Sequence, residues 1–229
     1  MRPTHLHLTL ALALLARAGA LRLTTRRTAL AAAIAPAVAF SRRDTAAADE
    51  EEPAAVSRLY ALVDGHRPSD FKDLPAAAVE IDALIDEIVR SRAPWPRGEL
   101  AGLWRLAYLQ PGPDGTGVDR RIPFPEFDFN DSYQKFGESS VLNIGELLGP
   151  TLRVEVGGTL TEEDASVVRS PKRFRADITG GGLCLGSLPC APLPIKGVGL
   201  FDGVYLGRRL RIGQNLNGGG ARIVQLRVG

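Results

Sequence analysis

The chain has 229 residues, with 28 basic and 26 acidic side chains but only three histidines and two cysteines. Seven arginines and one acidic residue fall in the first 48 positions, leaving 21 basic against 25 acidic residues and a net charge of −4 in the remainder. A mildly acidic body of about 180 residues has room for one domain with a sizeable core and offers no basic patch for nucleic acid.

Residues 1–48 read as a targeting leader. LHLTLALALLARAGA is an apolar run of signal-peptide length ending in the small residues Ala18, Gly19 and Ala20, and it is short for a bilayer span. TTRRTALAAAIAPAVAF follows, with Arg26 and Arg27 ahead of a weakly apolar Ala-rich run, the pattern of a twin-arginine translocation segment. The other reading of 28–40 is a buried Ala-rich helix, against which Pro36 and the flanking arginine pairs argue. Cleavage is expected near Ala48, with a cut after Ala39 as the alternative. Two stacked addresses imply a compartment inside a compartment.

Residues 49–229 are expected to form the functional domain, with helices over about 53–92 and a barrel over about 100–228. In PAAVSRLYALVDG, Val56, Leu59, Tyr60 and Val63 make one helical stripe, and Gly65 suits its stop. In DLPAAAVEIDALIDEIVRSR, Ile81, Leu84, Ile85 and Ile88 repeat that stripe, and Asp73 and Pro75 suit its start. The two predict a helical hairpin. From Leu100 the texture changes to short alternating runs between Gly, Pro, Asn and Asp, as in an antiparallel sheet or barrel. GLWRLAYL sets Trp104, Leu106 and Tyr108 against Arg105 and Ala107. TLRVEV sets Leu152, Val154 and Val156 on one face, KRFRADI does the same with Phe174, Ala176 and Ile178, and RIVQLRV places Val224, Leu226 and Val228 opposite Ile223, Gln225 and Arg227. The predicted class is mostly β: an antiparallel barrel preceded by the hairpin. Closing the sheet removes exposed edges.

Catalytic furniture is sparse. After the leader only His66 remains, just past the first helix, so Ser-His-Asp and Cys-His arrangements lack their base. NLNGGGARI lacks the lysine and the following Ser/Thr of a phosphate loop and leads into a strand, so it reads as a hairpin turn. Glu162, Glu163 and Asp164 are adjacent turn residues, and no metal site is expected there. Carboxylate pairs such as Asp128 and Asp131 are left for acid–base work, and nothing marks them out. Cys184 and Cys190, with five residues between them, could pair in an oxidising compartment or stay free thiols. Phe124, Phe127 and Phe129 lie in a long connection that either pins a loop over one barrel end or forms an apolar rim for a ligand or membrane. A small barrel with little catalytic equipment suits a container for one apolar ligand. Trp104, Leu106, Tyr108, Leu152, Val154, Val156, Phe174, Ala176 and Ile178 are expected to line it. No cofactor is expected.

Three segments taken in order, LAGLWRLAYL, SYQKFGESSVLNIGELLGPTLRVEVGGTL and GVGLFDGVYLGRRLRIGQNLNGGGARIVQLRV, resemble the plastid lipid-associated protein (fibrillin) family over roughly Ala54 to Val228. The resemblance implies a lipocalin-like barrel in chloroplasts, at thylakoids or plastoglobules. It implies a non-enzymatic protein that binds or organises carotenoids, quinones, fatty acids or other lipids, in contact with a peripheral thylakoid or plastoglobule surface. The alternatives are a lipid- or pigment-modifying enzyme and a ligand-free scaffold for thylakoid membrane proteins. Gly102-Leu103-Trp104 fits the Gly-x-Trp opening of lipocalins, where an arginine on a late strand packs over the indole, and Arg211 is the expected partner in barrel closure. The leader then resembles layered import to the thylakoid lumen, which would permit a Cys184–Cys190 bond. Gly207-Arg208-Arg209 stands where the family carries acidic residues, and Gly213-Gln214-Asn215 where it often has Arg-Gly, so ligand identity does not carry over.

Overall fold

The computed structural model describes residues 52–96, 98–113, 130–217 and 219–228. The leader, the aromatics Phe124, Phe127 and Phe129, and Asp128 lie outside the described residues. Asp49–Gly229 makes one compact unit.

The domain opens with α1 (Ala54–Val63), a 3-10 turn (Pro68–Lys72) and α2 (Pro75–Ser91). Nine strands follow: β1 (Gly102–Gln110), β2 (Asp131–Phe136), β3 (Ser140–Glu146), β4 (Leu152–Glu162), β5 (Lys172–Leu185), β6 (Ala191–Leu193), β7 (Gly197–Leu206), β8 (Leu210–Asn215) and β9 (Arg222–Val228). Eight of them close an antiparallel barrel in the order β1-β2-β3-β4-β5-β7-β8-β9, with β9 returning to β1. This is the lipocalin-like architecture. β5 is long enough to serve two neighbours along one edge: Lys172–Ile178 pair with β7, and Gly181–Leu183 with the short β6.

Register decides which face is inside. Trp104 stands opposite Gln134, Gln134 opposite Asn143, and Asn143 opposite Val156. Arg211 stands opposite Gln225, and Gln225 opposite Leu106. Directly paired residues share a face. The Arg211 guanidinium lies within 6.0 Å of the Trp104, Phe136 and Phe201 rings, which come from three other strands. Those side chains can meet only inside the barrel.

The outer wall of β1, β7, β8 and β9 is also dry, because the helices cover it. Val56, Leu59 and Val63 of α1 and Ile81, Ile85 and Ile88 of α2 pack with Val204, Leu210, Ile212, Val224 and Leu226 in one buried cluster. A second cluster lies within the barrel around Trp104, Phe136 and Phe174. The alternation expected in β1 breaks at Ala107, where the pairing with β9 shifts register. Tyr108 therefore points outward, edge-on to Phe71 at 5.0 Å and donating its hydroxyl to Asp82 at 2.9 Å. It lines the helix interface, which corrects its placement with Trp104 and Leu106. Burial and the neighbouring Asp82 raise the Tyr108 hydroxyl far above its ordinary pKa, so it remains a donor at any physiological pH.

If the main core lies between helices and barrel wall, truncation there is costly. Ile85→Ala, at a fully buried position, should lower urea-unfolding stability by about 2–5 kcal/mol. Val79→Ala on the same helix, where the side chain is 72% exposed, should stay within about 0.5 kcal/mol of the parent.

Candidate functional site: the barrel lumen

One end of the barrel is closed by a floor. Trp104 is fully buried, and its indole Nε1 donates to Leu100 O at 2.9 Å. The cation lying closest over its ring is Arg227 at 4.2 Å; Arg211 reaches it only at 5.9 Å and sits closer to Phe136, at 4.3 Å. The late-strand arginine on the indole is thus chiefly Arg227, a correction to the expected role of Arg211. Arg227 also ties the floor together. It donates to the carbonyls of Ala101 at 2.9 Å, Arg208 at 2.8 Å and Glu99. Gly102 makes this approach feasible: its φ is +134°, and a Cβ there would lie 2.8 Å from Arg227 Nη1.

Trp95 fills the floor from the segment after α2. A Cβ on Gly203 would fall 2.1 Å from its ring. Phe174 stacks on Phe201 at 5.3 Å and approaches Trp95 at 5.6 Å. Phe174 is therefore part of the floor. Beneath it a cleft of about 450 Å³ opens between Trp95, Leu100, Leu160 and Phe174. Lys172, 2% exposed, lies there with Glu162 as counter-ion and Val167 O as acceptor at 2.8 Å.

Above the floor runs a polar belt. Arg211 Nε donates to Gln225 Oε1 at 2.6 Å, and Nη2 donates to Gln134 Oε1. Gln134 Nε2 in turn donates to Asn143 Oδ1 at 2.8 Å. Arg211 is 3% exposed. Burial pulls its guanidinium down to about 9, which leaves it protonated at pH 7. No carboxylate among the described residues pairs with it.

Beyond the belt, toward the end where β1 leaves the barrel and β2 enters it, the inward residues change character. Leu106, Val156, Ile178 and Ile223 face inward yet keep part of their surface accessible, whereas Trp104, Phe136 and Val141 at the floor are sealed. Leu152 is half-buried; Val154 and Ala176 are buried. Leu148, Leu185, Leu188 and Leu216 are exposed in or beside the connections that frame that end.

The remaining expected residues lie elsewhere. Cys184 and Cys190 are bonded to each other beside β6, with Glu155 nearby on the outer face. Asp131 pairs with Arg67 at 3.0 Å. His66 faces Asp70 at 3.6 Å. Gln134, Gln225, Lys172, Trp95 and Arg227 were not picked out from the sequence. The signal for Gln225 and Arg227 was present in RIVQLRV, as the polar side of an alternating strand. Compared with models of known families, with curated proteins and with solved structures, the chain has no significant match in any of the three.

Arg227→Ala should lower stability by about 1–3 kcal/mol, because three carbonyls lose a charged donor and the indole loses its cover. Arg227→Lys should recover only part of this loss, since an ammonium cannot reproduce the planar fork. Urea unfolding followed by tryptophan fluorescence measures both.

Proposed function

We propose that this chain is a non-enzymatic binder of an apolar lipid or isoprenoid, held in the barrel lumen above the Trp104 floor. The observation that carries this reading is the contrast along the lumen. Side chains at the floor are sealed, while inward-facing Leu106, Val156, Ile178 and Ile223 still have accessible surface. An eight-stranded barrel is about as wide as its own side chains or one small ligand. Inward Gly199 leaves room as well, since a Cβ there would meet nothing closer than 3.8 Å.

The ring of exposed leucines at the open end supports exchange of ligand with a membrane or droplet surface, where such side chains are favourably buried. The stacked addresses in residues 1–48 support a plastid setting, at the thylakoid lumen or membrane, and the resemblance to the fibrillin family points to the same lipids. An enzyme built on Asp128 and Asp131 is the weaker reading, because Asp131 is engaged with Arg67.

Residues 49–229, expressed alone and incubated with a plastid lipid extract, should carry a selective isoprenoid or acyl lipid in near-stoichiometric amount after reisolation, read by mass spectrometry. Trp104→Phe and an unrelated barrel serve as controls. Lipid no more abundant than on the unrelated barrel contradicts the proposal and favours a scaffold with a filled interior.

A further inference from the structure

The two most deeply buried cations of the barrel are treated differently. Lys172 has its carboxylate, Glu162. Arg211 has only two neutral glutamine oxygens and the faces of aromatic rings. Ring faces attract a cation but supply no counter-charge. Replacing a buried charge by an apolar side chain of similar volume is commonly neutral or stabilising. An unpaired guanidinium at this depth is therefore expensive as a purely structural element.

The belt also has unspent donors. Arg211 Nη1, Gln225 Nε2 and Asn143 Nδ2 donate no hydrogen bond among the described residues. Ser170 Oγ is the one described side-chain polar atom that is both sealed and unpartnered, so these three nitrogens retain accessible surface. They sit on inward faces of β8, β9 and β3. Gly213 lies two residues along the same inward face of β8, where a Cβ would be 3.9 Å from Arg211 Nη2 and 3.4 Å from Ile223 Cγ1, so the Ile223 side chain borders the guanidinium on the side of the open end. The Gln225 oxygen accepts from Arg211 and the Asn143 oxygen accepts from Gln134, which leaves the Gln225 and Asn143 amide N–H groups to donate to a further guest. The result is one positive charge flanked by neutral donors, with apolar wall beyond. That is the complement of a carboxylate on an apolar tail.

We infer that Arg211, with Gln225 and Asn143 beside it, anchors the carboxylate of a single-chain amphiphile whose tail runs along Leu106, Val156 and Ile223 toward the open end. This deepens the proposed function and rests on the lumen being hollow. The ligand class narrows from neutral isoprenoids to acidic lipids, and the head lies at the bottom of the cup with the tail outward.

The test uses residues 49–229, stripped of lipid, with dodecanoic acid and methyl dodecanoate at pH 8, each titrated by calorimetry. The acid should bind at least tenfold more tightly than the ester. In Arg211→Met that preference should collapse to within about twofold, with the urea midpoint unchanged or raised. A carboxyl-labelled ¹³C acid on the wild-type protein gives a second readout that does not depend on any variant folding. Its bound resonance should titrate at least one pH unit below that of the free acid, because the guanidinium favours the ionised form. Equal affinity for acid and ester, or a bound carboxyl that titrates like the free one, overturns the anchor while leaving the container intact. If neither compound binds, the container reading fails and the anchor with it.

Discussion

Closing eight strands on themselves brings β9 back against β1, and that closure commits the inward faces of β8 and β9 to hold two arginines. Arg227 lies at the rim, where it can cover Trp104 and reach three backbone carbonyls. Arg211 lies deeper, and cannot snorkel to water because the floor is sealed beneath it. Its guanidinium lies over Phe136, and Gln225 of the neighbouring β9 and Gln134 of β2 turn their oxygens toward it. The aromatic floor and the polar belt are consequences of where those two cations fall.

The helices make this arrangement affordable. In a barrel whose only dry face is the inner one, stability and a hollow interior compete, because each unfilled position forfeits packing. Here the larger buried cluster lies outside the barrel, between α1, α2 and the outer wall of β7, β8 and β9. Each fully buried aliphatic side chain there contributes roughly 1.5–3 kcal/mol. The lumen can then carry glycines, glutamines and a charge without the fold depending on its being filled. Arg58 and Glu80, 2.7 Å apart, join α1 to α2 at the surface and add little.

This division also explains what the sequence revealed and what it concealed. The helical stripes of Val56, Leu59 and Val63 and of Ile81, Ile85 and Ile88 are the buried faces, because a periodicity of 3.6 over ten or more residues has one physical cause. The strands were legible from alternation for the same reason. Alternation cannot say which face is inside when both are dry. In LRI of β8, Leu210 and Ile212 meet the helices while Arg211 enters the lumen, and in β9 Val224 and Leu226 go out while Ile223, Gln225 and Arg227 go in. The one-residue bulge at Ala107 has no compositional mark, and it alone sends Tyr108 to the wrong side of the simple pattern. Trp104 was legible as a barrel-closing residue only through the resemblance of Gly102-Leu103-Trp104 to the lipocalin opening. Which arginine covers it depends on the β1–β9 register, a long-range property that no local pattern records.

The central claim is a cup whose base is charged and whose wall is free. A crystal structure of residues 49–229 soaked with 12-bromododecanoic acid, with the bromine located by anomalous scattering, tests it most directly. The account places the carboxylate on Arg211 and the bromine at the open end, past Ile223 and near the exposed leucines that frame it. Bromine found only on the outer surface, or in the cleft beside Trp95 and Lys172, would contradict it.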